Sequence, residues 1–198
     1  MERIPLAKPY WDEECERAAI DALSSGRWVK GPQAKQFGEE FAEWCGAISA
    51  VPCQSGSAAL WAAMRILDIG PGDEVIVPGM TFIATATSVS LVGATPVFAD
   101  IEEDYWCICP DDVEAKITDR TKAVIGVHIF GQTFSPRLKE ICQRHNIALV
   151  EDAAQAHGAS LDGVKAGAIG DIACFSFFPS KNMAVGGEGG MITTTRAD

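Results

Sequence analysis

At 198 residues the chain is long enough for one well-buried core, and its 47% hydrophobic content is that of an ordinary globular protein. With 16 basic against 27 acidic residues its net charge is −11, which repels nucleic acid and anionic membrane surfaces, so neither is an expected partner. The 7 cysteines include no CxxC pair, which argues against a disulfide framework or a zinc ribbon and for a reducing cytoplasm with no bound metal.

The opening segment, "MERIPLAKPYW", lacks the apolar run of an export signal. Residues 11–24 and 34–44 read as helices, the second with Phe37, Phe41 and Trp44 spaced as an apolar stripe. Between them "SGRWVKGP" is a loop broken by its glycines and Pro32, with Arg27 and Lys30 beside Trp28. Short apolar runs then follow at 49–53, 74–77, 95–99, 123–127, 148–150, 172–176 and 190–194. Helical patterns lie between several of them, at 57–67 with Leu60, Trp61, Met64 and Leu67, and at 135–145 with Leu138, Ile141 and Cys142. Strands alternating with helices imply an α/β fold whose mainly parallel, seven-stranded sheet is covered on both faces. Residues 75–99 carry no charge and are long enough to cross a bilayer, but Pro78, Gly79, Gly93 and Pro96 cut them into strand, helix and strand, all expected to be buried. One domain over 1–198 is expected, with N-terminal helices in 1–46 and the sheet core in 47–198.

In an open sheet of this kind ligands bind beyond the C-terminal strand ends, so the loops that leave those ends are the place to seek chemistry. After the first strand, "CQSGSAALWAAM" places Gly56 and Ser57 at a helix start, where free N–H groups and the dipole suit a phosphate; Ser57 acting only as an N-cap is the plain alternative. No GxxxxGK[ST] or strand-linked GxGxxG occurs, which removes the strongest signals for ATP and NAD. Phe82 after the second strand is an aromatic that can stack on a flat ring or pack as core. Asp152 closes the fifth strand, with Gln155 a turn further on, and can hold a cationic ring nitrogen or cap a helix. Ser176 ends the sixth strand, and Lys181 follows in an apolar, glycine-flanked loop where an ammonium is costly unless it is used. His128 can face the site or be a satisfied strand-end histidine, and Cys53, Cys107 and Cys109 suggest sulfur chemistry less than plain buried thiols, since none lies in a glycine-rich loop. A phosphate anchor, an aromatic plate, an acid for a ring nitrogen and an amine for an aldehyde are together what pyridoxal 5'-phosphate requires.

The segments "SGRWVKGP", "SGSAAL", "GDEVIVPGMTFIATA", "GATPVFADI", "VHIFGQ", "EDAAQAHGA" and "SFFPSKN", in that order, resemble the DegT-type (DegT/DnrJ/StrS) nucleotide-sugar aminotransferases, which are fold-type I pyridoxal-phosphate enzymes. The resemblance implies the large domain of that fold, without the smaller C-terminal domain that family members carry beyond "GEGG", and hence a truncated or partial chain. By the same resemblance Lys181 would condense with the cofactor's aldehyde and Asp152 would contact its ring nitrogen. Gln155 would bond the ring hydroxyl, Phe82 would stack on the ring, and Gly56, Ser57 and Ser176 would hold the phosphate. Gln54 departs from the small polar residue more usual before that loop. The implied reaction takes nitrogen from an amino acid, glutamate first among candidates, and gives it to a nucleotide-linked keto-sugar, in a homodimer whose active site lies at the interface. Two other readings stand beside it: a regulatory or interaction protein that retains the fold, and another fold-type I activity.

Overall fold

The computed structural model describes residues 4, 5 and 7–197; residues 1–3, 6 and 198 of the expected domain lie outside the described residues. Helix α1 (Glu13–Ser24) starts where the Asp12 carboxylate accepts the Cys15 amide at 2.9 Å. Helix α2 (Pro32–Cys45) has proline in its first turn, where no amide partner is lost, and ends on Gly46 in the left-handed region. The main sheet then builds from β1 (Ser49–Cys53), β2 (Glu74–Pro78), β3 (Thr95–Ala99), β4 (Thr121–Val127), β5 (Ala148–Asp152), β8 (Ile172–Ser176) and β9 (Gly190–Thr194). Between them run α3 (Gly56–Ile66), α4 (Ala84–Leu91), α5 (Pro110–Lys116), α6 (Arg137–His145) and a small hairpin of β6 (Ser160–Leu161) and β7 (Val164–Lys165).

Strand order across the sheet is β1-β9-β8-β5-β4-β2-β3. Only β9 runs antiparallel to its neighbours, so the other strands all point their C-terminal ends to one edge. Successive strand residues serve opposite faces. Ile172 and Cys174 of β8 join Leu60, Met64 and Val89 under α3 and α4, while Ala173 and Phe175 pack with Phe41 and Cys45 of α2. Helix α6 covers the same face as α2 further along, with Leu138, Ile141 and Cys142 over Val124 and Leu149. The result is three layers with the core split by the sheet.

The mainly parallel, seven-stranded sheet expected from the alternating pattern is present. The uncharged stretch 75–99 folds as strand, helix and strand, yet burial is uneven: β2 is wholly buried, whereas β3 is an edge strand that leaves Phe98 54% exposed. Among the described residues no helix is long and apolar enough to cross a membrane. Helix α5 and the β6–β7 hairpin had no counterpart in the sequence reading. In the α2 stripe Phe41 is buried, but Trp44 stays half out, with the Lys165 ammonium 4.6 Å over its ring.

Candidate active site

Four loops meet above the C-terminal strand edge and enclose a cavity of about 420 Å³. From β1 comes the start of α3, where Ser55 is the N-cap and its hydroxyl accepts the Ala58 amide at 3.1 Å. The capping role weighed for Ser57 thus belongs to Ser55, and the exposed Ser57, in the first turn of α3, lines the cavity. Gly56 is dictated by packing, because a Cβ there would stand 2.8 Å from the Ser176 Cβ. Gly190, opening β9, is tighter still: a Cβ would fall 2.4 Å from the Ser55 carbonyl carbon and oxygen. Two bare backbones are therefore what let α3 seat its positive end against the ends of β8 and β9.

Asp152, the last residue of β5, lines the floor and is only 5% exposed. It does not start a helix. Its Oδ1 accepts the Ala154 amide at 3.2 Å and its Oδ2 accepts the Thr85 hydroxyl at 2.7 Å. No salt bridge within 4.0 Å pairs it with a cation among the described residues. Burial pushes its carboxyl pKa up, while the Thr85 and Ala154 hydrogen bonds and the nearby Lys181 pull it back down. A buried acid with no cation of its own is a site waiting for a positive partner.

Lys181 lies in the loop from β8 to β9 and also lines the cavity. That loop is closed at its base, where the Phe177 amide donates to the Gly189 carbonyl at 2.8 Å and the Val185 amide to the Phe177 carbonyl at 3.0 Å. Phe82, 67% exposed, and Phe178 form apolar walls. The structure therefore gathers Gly56, Ser57, Phe82, Asp152, Ser176 and Lys181 around one space. It does not bring Gln155 to the lining. The Gln155 Oε1 accepts the Phe130 amide at 2.7 Å, turning that side chain to the loop after β4.

Residues outside the sequence reading complete the surroundings. Ser55, Ser180 and Glu188 line the same cavity, and Thr85 stands behind Asp152. Beside Asp152 but on the other sheet face, Glu151 is fully buried and accepts the amides of Gly167 at 3.0 Å, Ile169 at 2.8 Å and Gly170 at 2.7 Å. Its remaining contact is His128 Nε2 at 2.8 Å, and the His128 ring stacks on Phe134 with centroids 4.3 Å apart. Of its two readings, the buried His128 thus takes the strand-end one, turned to Glu151 and Phe134 and absent from the cavity lining. Burial raises the Cys53 thiol pKa and pushes that of Cys107 up to about 11, which keeps both protonated and inert. Arg27, Trp28 and Lys30 line a separate hollow, where the Trp28 indole donates to the Leu23 carbonyl at 2.8 Å.

Residues 9–197 match the family model described as the DegT/DnrJ/EryC1/StrS aminotransferase family. The chain is similar to the UDP-N-acetyl-3-dehydro-alpha-D-glucosamine 3-aminotransferase of Acidithiobacillus ferrooxidans, 46% identical over 89% of this chain and 48% of the relative. It is similar to the dTDP-3-amino-3,4,6-trideoxy-alpha-D-glucose transaminase of Streptomyces venezuelae, again 46% identical, over 97% of this chain and 52% of the relative. Among solved structures, the PLP form of Spr1654 from Streptococcus pneumoniae superposes with a TM-score of 0.94 at 33% identity, covering 98% of this chain and 54% of that one. The chain spans about half the length of the curated relatives it matches.

Proposed function

Since the chain belongs to the DegT/DnrJ/EryC1/StrS aminotransferase family, we propose that it is the large, cofactor-binding domain of an enzyme that uses pyridoxal 5'-phosphate to move an amino group from an amino acid to a nucleotide-linked keto-sugar. One observation carries the reading: an anion-ready helix start, a buried unpaired carboxylate and a primary amine line the same cavity. Its volume of about 420 Å³ suits a phosphorylated ring.

These residues fit the cofactor by charge. The Gly56 and Ser57 amides, with the Ser57 and Ser176 hydroxyls, would hold the phosphate at the positive end of α3. The Asp152 carboxylate would keep a proton on the ring nitrogen, and that cation would in turn offset the burial that pushes its pKa up. Phe82 would cover one ring face and exclude water from it. Lys181 Nζ would bind the aldehyde and, once substrate displaces it, accept and return a proton at the reacting carbon. When bound, the cofactor supplies the electron sink that makes that proton removable. A contact of Gln155 with the ring hydroxyl would require its side chain to leave the Phe130 amide.

The amino acceptor is read from the named activities of the two relatives, both of which act on nucleotide-linked sugars. Glutamate is the first amino donor to test. The exposed apolar rim of Phe82, Ile83, Phe178 and Met183 supports a homodimer closing over the site, and the 7 free cysteines support a reducing cytoplasm.

The test is spectroscopic. The protein mixed with pyridoxal 5'-phosphate should gain a visible absorption band that Lys181→Ala lacks, glutamate should bleach it, and keto-sugar nucleotides should restore it. A band that no amino acid bleaches would overturn transamination.

A further inference from the structure

The floor of the cavity depends on a side chain that never reaches the cavity. Thr85, in the first turn of α4, is fully buried, and its hydroxyl donates to Asp152 Oδ2 at 2.7 Å. A threonine hydroxyl has a single proton, so once that proton is given to the carboxylate the oxygen can only accept. The Thr81 hydroxyl, 2.8 Å away and half-buried in the loop before α4, must therefore be the donor in the Thr81–Thr85 pair. The three groups form a one-way chain that ends on the acid. It occupies Oδ2, so Oδ1, which among the described residues accepts only the longer Ala154 bond, keeps capacity for a ligand.

We propose that Thr85 is the positioning residue for the Asp152 carboxylate, and that Thr81 fixes the direction in which Thr85 gives its proton. The assignment rests on the reading of Asp152 as partner to a cofactor's ring nitrogen. The bond from Thr85 also favours the ionised carboxylate against the burial that opposes it. Without Thr85 the acid would lose both its fixed plane and part of the support for its charge.

The measurement is titration of pyridoxal 5'-phosphate into the full-length apoprotein as wild type, Thr85→Val, Thr85→Ser and Thr81→Val, followed by visible absorbance across a pH series. Thr85→Val is nearly isosteric and should lose affinity about 10-fold, the value of one charge-assisted hydrogen bond, while Thr85→Ser restores most of it and Thr81→Val falls between. Loss of affinity on acidification should set in at higher pH in Thr85→Val and return in Thr85→Ser. The other groups that face Asp152, namely His128 after β4, Lys181 in the β8–β9 loop and Cys174 on β8, are the same in every variant. A purely structural role would not move that acid limb. Wild-type affinity and an unshifted limb in Thr85→Val would overturn the assignment. If Thr85→Val does not fold by circular dichroism, Thr81→Val decides: affinity equal to wild type overturns it, and weaker binding supports it. A wild-type protein that binds no pyridoxal 5'-phosphate would sink the functional reading and take this assignment with it.

Discussion

Replacing Glu151 by glutamine removes one acceptor from a fully buried site that holds four contacts, three of them backbone amides. The best orientation of the glutamine keeps its oxygen on the Ile169 and Gly170 amides and turns its NH2 toward Gly167 and His128. His128 can then accept through Nε2 only by moving its proton to Nδ1, where the buried N–H meets no acceptor among the described residues. The Gly167 amide is left facing a donor as well, at a cost of about 1–3 kcal/mol for a buried unsatisfied group. The two retained bonds lose their charge assistance, and together with these orphans this sums to about 3 kcal/mol. Equilibrium urea unfolding, read by circular dichroism and tryptophan fluorescence, should show that loss. In a thermal scan it should lower the midpoint by roughly 6–12 °C for a domain of this size. A loss under about 1 kcal/mol would refute the view that Glu151 clamps the 167–170 loop to β5.

Lys181→Ala should leave pyridoxal 5'-phosphate bound without its visible band and abolish amino transfer, which absorbance and a coupled assay would check. Gly190→Ala forces a Cβ to within 2.4 Å of the Ser55 backbone, so it should cost about 1–3 kcal/mol in urea unfolding and weaken phosphate binding as α3 is pushed off β9. Burial pushes the His157 pKa from the ordinary 6.5 down to about 4, so the unfolded chain binds a proton there that the native state refuses. Stability should fall as pH drops from about 6.5 toward about 4, and His157→Phe, measured by urea unfolding along that series, should flatten the slope.

The alternation of strands and helices was legible because each apolar run ends at turn residues and each helical run repeats its apolar face. Helix α5, "PDDVEAK", escaped because its buried residues are only Pro110 and Val113, too few to set a period. The hairpin of β6 and β7 has two residues a side, below any pattern. At the site, positions at strand ends were readable because parallel topology carries them to one edge whatever the details of packing. Gln155 shows the boundary of that logic: spacing along the chain brings it near Asp152, but the turn after β5 aims it at Phe130. Thr85 lies in an uncharged stretch where a buried hydroxyl looks like any other small helical residue. Only the fold, by laying α4 against the end of β5, makes it a partner of Asp152.

The reversal of β9 has an engineering consequence. Because this strand returns between β1 and β8, the segment bearing Lys181 leaves and re-enters the scaffold at adjacent points, Ser176 pairing with Gly190. It is a cassette with both hinges bolted to the same frame. Residues can be inserted or deleted within it to swing the amine nearer or farther, or the whole segment can be grafted from a homologue, while strand pairing on either side keeps its alignment.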